Sequence, residues 1–482
     1  MSLAPVDADA TSPSPRDALA AALDVHRVAF RAEPYPTLAV RKKRVQALVD
    51  ALDARRDDFA AAIAADFGHR SHHETLIADI AVSLMGLKHT LKHLKAWMRA
   101  EKRSVPLHFL PASARVLPQP LGVIGVISPW NYPVQLAVVP IGQALAAGNR
   151  VMLKPSELTP ATSELLAEML SELYPSDLVS VHTGGPDVGA AFSTLRFDHL
   201  FYTGSTAVGR LVMKAAADNL VPVTLELGGK SPALIAPDAD LDRAADRIAS
   251  GKLFNAGQTC VAPDYVLVPA SQVDELLGKL RDKVAAKYPT LVDNPDYSAV
   301  VNDRHRQRLT QLRDDAVAAG ARAEPLGPAG ESFEASPKLA PTALLDVTDD
   351  MAVMRDEIFG PLLPVVPYEH YDEALAYIND RPRPLALYVF SSSSQRIERT
   401  LQSTHAGGVT VNDCMLHVAQ DTLPFGGVGA SGMGAYHGKD GFDTFSHRKA
   451  IFEQPRLNGG FLLDAPYGKT LERLVDFLTR RL

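Results

Sequence analysis

The sequence predicts an α/β protein built on parallel sheets, on three observations. From about residue 115 to residue 427, short apolar, β-rich runs alternate with stretches of helical periodicity. The chain has 482 residues, too many for one ordinary core, so two or three domains are expected. Hydrophobic residues make up 46% and charged residues 22%, which is the balance of an ordinary soluble globular chain.

In chain order, the polar run Thr11-Ser12-Pro13-Ser14-Pro15 reads as a short disordered lead-in over residues 1–15. Residues 38–63 carry apolar side chains at helical spacing, with Val45, Leu48, Val49 and Leu52 on one stripe and Gly68 ending the pattern. A second helical pattern runs through Leu76, Ile80, Leu84, Leu87, Leu91 and Leu94. Its opposite face carries His89, Lys92 and His93, which are expected to be solvated rather than metal-binding. Strands are then expected at 123–128, 151–153, 199–202 and 223–225, with helices at 134–147, 162–173 and 208–217 between them. A second alternating region opens near Pro232, with strands at 233–235 and 265–268, and continues to about Gly427. No repeat or low-complexity linker separates the two regions.

Composition excludes several function classes. With 49 Lys and Arg against 56 Asp and Glu, the net charge is −7, so there is no electrostatic reason to expect nucleic acid. The local run Arg41-Lys42-Lys43-Arg44 lies in helical periodicity and reads as a solvated face. Two distant cysteines, Cys260 and Cys414, make neither a disulfide framework nor a zinc spacing; no metal is expected, and a reducing, cytoplasmic compartment fits. No apolar stretch reaches the roughly 18 residues of a membrane helix. The tail at 474–482 is weakly amphipathic, and packing on the fold or a partner subunit is preferred to a membrane surface.

Five segments could carry chemistry, and each has a plain alternative. In Phe254-Asn255-Ala256-Gly257-Gln258-Thr259-Cys260, a helical run breaks just before a thiol. A lone cysteine is commonly inert, but such a loop can expose the sulfur, and a nearby helix N-terminus would lower its pKa below about 8.5. Glu226 ends an apolar strand and is followed by Gly228-Gly229; it is either a strand-end carboxylate at a turn or a base whose pKa rises in a partly apolar cleft. The run from Gly204 through Ser205 to Gly209 follows a strand and opens a helix, which suits a diphosphate, although the G-x-G-x-x-G spacing is absent. Asn131 follows the strand at 123–128 and could donate to an oxyanion or simply form a turn. Lys154 and Glu157 end the next strand and could reach a ribose or merely cap a helix.

Taken together, Asn131, Lys154, Glu157, Gly204, Glu226 and Cys260, in this order, resemble the aldehyde dehydrogenase superfamily across nearly the whole chain. The run Leu225-Glu226-Leu227-Gly228-Gly229-Lys230 is similar to that family's glutamate signature, and the Cys260 segment to its cysteine signature. Glu357-Ile358-Phe359-Gly360-Pro361 and Pro424-Phe425-Gly426-Gly427-Val428-Gly429 resemble two further family motifs. Ser431-Gly432-Met433-Gly434 and Tyr436-His437-Gly438-Lys439 look closest to the class 3 branch, and the stretch from Val411 to His417 resembles bacterial coniferyl aldehyde dehydrogenases.

The resemblance implies the rest. Cys260 attacks an aldehyde to give a thiohemiacetal and then a thioester, Asn131 and the Cys260 N–H hold the oxyanion, and Glu226 activates water. Lys154 and Glu157 take the adenosine ribose, the 204–209 turn lies beside the diphosphate, Glu357 binds the nicotinamide ribose, and Phe359 packs near the ring. A glutamate at 157 would repel a 2′-phosphate, so NAD is expected, with NADP possible. The implied architecture is two Rossmann-type parallel-sheet domains with a β-hairpin oligomerisation element. Residues 16–102 and 122–230 would bind cofactor and residues 231–430 would carry catalysis. Residues 103–121 with 431–482 would form the oligomerisation element and tail, a strand near 443–452 joining the hairpin, in a homodimer. The expected substrate is a small aldehyde, coniferaldehyde first and a medium-chain aliphatic aldehyde second. A CoA-acylating enzyme, a non-redox thiol hydrolase and a catalytically silent nucleotide-binding or structural protein are the rivals. Glu226, the nucleotide motifs and the retained Cys260 each argue against one of them. Cys414 is expected to line or abut the substrate channel without reacting, and His417 to be a structural or channel histidine rather than a proton shuttle.

Overall fold

The computed structural model describes residues 14–106, 109–458, 460 and 464–481. Its first helix, Pro15–Ala32, begins inside the span expected to be a disordered lead-in. The Ser14 hydroxyl accepts from the Asp17 N–H, and Pro15 occupies the first turn, where its missing N–H costs nothing. Leu19, Leu23 and His26 then bury one face. The rest of the lead-in, residues 1–13, lies outside the described residues. The periodic stretch at 38–63 is two helices, Leu38–Ala54 and Arg56–Asp66, because Arg55 leaves helical geometry. Gly68 follows the second at φ +70°, where a side chain would be strained. The next pattern contains a π-turn, Leu76–Ala81, running into the helix Val82–Trp97.

Arg41 departs from the solvated face expected of its basic run. It is buried, and its guanidinium donates to the carbonyls of Pro36, Ala146 and Ala147. The last two end the helix Gln135–Ala147, whose terminal carbonyls and dipole favour a cation. All 13 residues of that helix are buried, between the helices Leu38–Ala54 and Val82–Trp97 and the sheet behind them.

Two parallel sheets organise the molecule. The first has six strands in the order Gly432–Met433, Val223–Glu226, His199–Thr203, Val123–Ile127, Arg150–Lys154 and Val179–Val181. Only the edge strand Gly432–Met433 runs antiparallel, against Glu226 and Leu225. The strand order reverses between Val123–Ile127 and His199–Thr203, and in open α/β sheets ligands bind beyond the strand C-termini at such a switch point. Asn131 and Gly204 are the candidate residues that follow those two strands.

The second sheet has seven strands in the order Arg322–Pro325, Thr342–Leu345, Leu362–Tyr368, Tyr265–Pro269, Pro232–Ile235, Ala386–Phe390 and Gly408–Val411, with only Arg322–Pro325 antiparallel. Its central strands are buried on both faces, as expected of near-continuous apolar runs covered by helices. The third sheet is small and antiparallel: Glu101–Arg103, Ser113–Pro120 and Ser446–Glu453. The expected hairpin and late strand thus pair, with Glu453 opposite Ser113 and Ser446 opposite Pro120. The tail forms a helix, Lys469–Arg481, with Val475 and Phe477 exposed. Among the described residues no helix is long and apolar enough to cross a membrane, and no cluster of three or more His, Cys, Asp or Glu is placed to hold a metal ion.

Candidate active site

A cleft of about 1200 Å³ is lined by residues from both large sheets, among them Asn131, Gly204, Ser205, Glu226, Cys260, Glu357 and Phe359. Lys154, Glu157 and Gly209 do not line it.

Cys260 is placed by an unusual chain path. The helix Leu241–Leu253 ends because Asn255, Ala256 and Gly257 take φ values of +53°, +51° and +77°. Left-handed geometry costs of order 1–3 kcal/mol at each non-glycine residue, so the turn persists only if its surroundings hold it. Asn255 N–H donates to Glu74 Oε1 at 3.0 Å, and Asn255 Nδ2 donates to the carbonyls of Asn131 and Gln258. Gln258 in turn donates to Asn255 O and Ala299 O and accepts from Val301 N–H. Gly257 admits no side chain, since a Cβ would lie 2.4 Å from Gly360 O.

The expected helix N-terminus at Cys260 is absent; the residues after it form turns. Burial, followed by the Glu357 and Glu226 carboxylates, pushes the thiol up to about 12, against the opposing backbone N–H groups of Cys260 and Val261. The expectation of a lowered thiol pKa is therefore corrected: desolvation and two neighbouring carboxylates outweigh two peptide dipoles.

Asn131 is buried on the loop after Val123–Ile127, and its Nδ2 donates to Gln258 O at 3.2 Å. Glu226 ends the strand Val223–Glu226, is 3% exposed, and neither of its carboxylate oxygens has a hydrogen-bond partner. Burial raises its pKa well above the ordinary carboxylate range. A buried, unpaired carboxylate is costly, and such groups in clefts are functional-site candidates.

Glu357 also lines the cleft and accepts the Gly229 N–H. A Cβ on Gly228 would fall 2.1 Å from its Oε1, so only glycine leaves room for this carboxylate. Burial and Asp264 push Glu357 up to about 8, partly offset by Gly229 N–H, Lys230 and Arg308. Phe359, at φ +53°, meets the Trp130 ring edge-to-face at 5.3 Å, and His305 lies on Trp130 at 5.1 Å. Burial, helped by Arg308 and Arg304, lowers His305 to about 4, so it is neutral near pH 7.

The turn after His199–Thr203 is tight. Gly204 N–H donates to Glu226 O, and Ser205 caps the helix Thr206–Ala217 through Val208 N–H. A Cβ on Gly209 would lie 2.7 Å from Leu227 Cδ2, so this glycine brings helix and strand end together. Outside the cleft, Lys154 Nζ pairs with Glu157 Oε2 at 2.5 Å.

Several groups in or behind the site escaped sequence reasoning. Lys230 pairs with Asp264 and donates to the carbonyls of Val353 and Asp356, tying down the loop that carries Glu357. Asp264 also accepts from Ile358 N–H. Arg70, Glu74 and Asp79 form a buried ionic group behind Asn131; the i,i+4 spacing of Arg70 and Glu74 was the only available signal. Cys414 is buried, does not line the cleft, and packs on Gly251; burial and Asp413 hold its thiol well above the usual range. His417 bonds Thr410 Oγ1 through Nδ1 at 2.8 Å and also lies outside the cleft lining.

Known proteins share this fold. The aldehyde dehydrogenase family profile matches residues 8–451. A protein of Pseudomonas aeruginosa named "Probable coniferyl aldehyde dehydrogenase" is 53% identical over 93% of this chain and 94% of its own length. The solved structure "Substrate bound state of Staphylococcus Aureus AldH" is 38% identical and superposes with a TM-score of 0.89 over 95% of this chain and 99% of that one. The structure of a Mycobacterium tuberculosis aldehyde dehydrogenase complexed with NAD+ is 31% identical, with a TM-score of 0.82 over 90% of each chain. With one cleft gathering a thiol, an amide and an unpaired carboxylate on this fold, the chain belongs to the aldehyde dehydrogenase family and is an NAD(P)-dependent enzyme that oxidises aldehydes.

Proposed function

We propose that Cys260, Asn131 and Glu226 carry out aldehyde oxidation, and that the preferred substrate is an aromatic, cinnamyl-type aldehyde such as coniferaldehyde. The observation that carries the reading is Glu226: both oxygens unpartnered, in the cleft lined also by Cys260 and Asn131. Cys260 Sγ, as thiolate, adds to the carbonyl carbon, and the oxygen that gains charge is held by Asn131 Nδ2 and the Cys260 N–H. NAD(P)+, when bound, supplies a cationic ring that lowers the thiol pKa and accepts the hydride. Collapse of the thiohemiacetal leaves a thioester on Cys260. Glu226 then takes a proton from water, the hydroxide adds to the thioester carbon, and the acid departs as the thiolate is regenerated.

The cofactor seat fits the residues present. Gly228 leaves space for Glu357, which would bind the nicotinamide ribose, with Phe359 beside the ring. The turn of Gly204 and Ser205, with Gly209 holding the helix close, would flank the diphosphate. Lys154 and Glu157 would take the adenosine ribose, and the Glu157 charge favours NAD over NADP. We assign cofactor binding to residues 16–102 and 122–230, catalysis to 231–430, and oligomerisation to 103–121 with 431–482. The exposed antiparallel sheet Glu101–Arg103, Ser113–Pro120 and Ser446–Glu453 has edges that a second copy would cover in a homodimer. Two free cysteines suit the cytoplasm.

The coniferaldehyde assignment is supported by the name of the Pseudomonas aeruginosa relative and by the aromatic groups Trp130, Phe425 and Tyr436 in the cleft wall. The test is NADH formation at 340 nm with coniferaldehyde, hexanal and octanal, supplying NAD and NADP separately. A higher kcat/KM for coniferaldehyde with NAD is expected. Preference for octanal removes the aromatic label and leaves the mechanism.

A further inference from the structure

We propose that Arg70 and Glu74 are positioning residues that clamp the two halves of the oxyanion site, Asn131 and the Cys260 turn, against each other. The inference rests on the oxyanion reading of those two residues. Asn131 and Cys260 come from loops 129 positions apart (260 − 131), associated with different sheets and joined directly by the bonds from Asn131 Nδ2 to Gln258 O and from Asn255 Nδ2 to Asn131 O. Residues 70–79 brace both loops from a third side.

The geometry separates the roles of charge and direction. Arg70 lies 3.8 Å from the Glu74 carboxylate and 3.7 Å from that of Asp79, too far for good hydrogen bonds. Its directional bond runs from Nη1 to Asn131 O at 3.0 Å. Glu74 likewise spends both oxygens elsewhere, on Asn255 N–H at 3.0 Å and Ser298 Oγ at 2.6 Å. Asp79 Oδ1 accepts from Val134 N–H and Gln135 N–H, pinning the helix start four residues beyond Asn131. Arg70 offsets the two carboxylates at a distance while the hydrogen bonds reach out to the two site loops.

Two further features fit a positioning role better than a stabilising one. A buried ion group seldom outweighs its own desolvation, so stability alone is a poor reason to keep Arg70, Glu74 and Asp79 nearly sealed from water. Asp79 sits in the π-turn Leu76–Ala81, an irregularity found disproportionately at functional sites. The strained turn at Asn255 and Ala256 receives a carboxylate contact from Glu74, and Asn255 Nδ2 shares Asn131 O with Arg70. Freed from Glu74, that turn can relax and carry the Cys260 N–H out of register with the Asn131 amide.

The test is a double-mutant cycle between Glu74→Gln and Asn131→Ala, reading kcat, aldehyde KM and NAD Kd on the full chain. Misplacement near 1 Å costs on the order of 100-fold, and losing one oxyanion donor about 100- to 1000-fold. Glu74→Gln should therefore lower kcat by about 10- to 100-fold with KM and Kd within about twofold. In the Asn131→Ala background the same change should cost less than about threefold, because the damaged feature is already gone. A wild-type kcat for Glu74→Gln, or an equal loss in both backgrounds, overturns the clamp. Should Glu74→Gln not fold, Ser298→Ala removes the 2.6 Å bond to Glu74 together with the one that Ser298 Oγ accepts from Ser71 N–H, and the same cycle must show the same non-additivity. An unchanged kcat in Asn131→Ala alone overturns the oxyanion reading itself; a large loss there with silent Glu74→Gln and Ser298→Ala overturns only the clamp.

Discussion

The substitution Gly228→Ala tests the cofactor seat with one methyl group. A Cβ at this position would stand 2.1 Å from Glu357 Oε1, 2.2 Å from Oε2 and 2.4 Å from the carboxylate carbon, and these are its three nearest atoms. The backbone at Gly228 is not left-handed, so alanine adds no torsional strain of its own. The methyl and the carboxylate cannot both stay, and the carboxylate must swing off the Gly229 N–H that now orients it. With Glu357 raised to about 8 and largely neutral near pH 7, the bond is worth about 0.5–1.5 kcal/mol, which is roughly 2- to 13-fold in an equilibrium constant. If Glu357 binds the nicotinamide ribose, Gly228→Ala should weaken NAD by about that factor. Glu357→Ala should do the same, and the double variant should be little worse than either. Trp130 lines the cleft and is one of only two tryptophans, so quenching of intrinsic fluorescence reports the Kd directly. Wild-type NAD affinity in folded Gly228→Ala, or losses that add in the double variant, would refute the assignment.

Three further outcomes are expected. Cys260→Ala should abolish turnover and leave NAD binding within about threefold; retained turnover would sink the covalent route. Glu226→Gln should show a burst of NADH followed by a steady state slowed about 100-fold or more, as for a lost general base. Because burial raises the Glu226 pKa and the base must be ionised to act, wild-type kcat should climb with pH through an apparent pKa above 4.5 and then level off. That limb should vanish in Glu226→Gln, and its survival would move the role to another group. Glu157→Thr removes the carboxylate paired with Lys154 and should raise the NADP/NAD ratio of kcat/KM about tenfold, whereas an unchanged ratio would show that Glu157 does not face the 2′ position.

What was legible in the sequence divides by range. Strands such as Val123–Ile127 and Tyr265–Pro269 were visible because their apolar runs are local and buried on both faces. The motif glycines were visible for a related reason: Gly228 and Gly209 mark places where a Cβ would collide with Glu357 or Leu227, and composition records that directly. Arg41 was misread because a basic run carries no trace of the two carbonyls, more than 100 residues away, that one member will cap. The first helix was missed because the small residues around Pro15 resemble a linker until Ser14 is seen as a cap.

The Cys260 thiol shows why chemistry is harder to read than fold. Its pKa depends on Glu226 and Glu357, which reach it from two other elements, and on how much water the closed cleft excludes. None of these is local to the Asn255–Gly257 turn. The same holds for the groups that hold the turn: Glu74 and Ser298 lie 181 and 43 positions from Asn255 (255 − 74 and 298 − 255) yet meet beside it. Local pattern therefore marks the candidate reacting side chains, Glu226 at the end of a strand and Cys260 after a broken helix. The residues that tune and aim them sit wherever the fold brings a charge or a donor close, and they follow no spacing rule. In this chain the proposed nucleophile stands on a loop that its own residues mark, whereas its reactivity is a property of the assembled cleft.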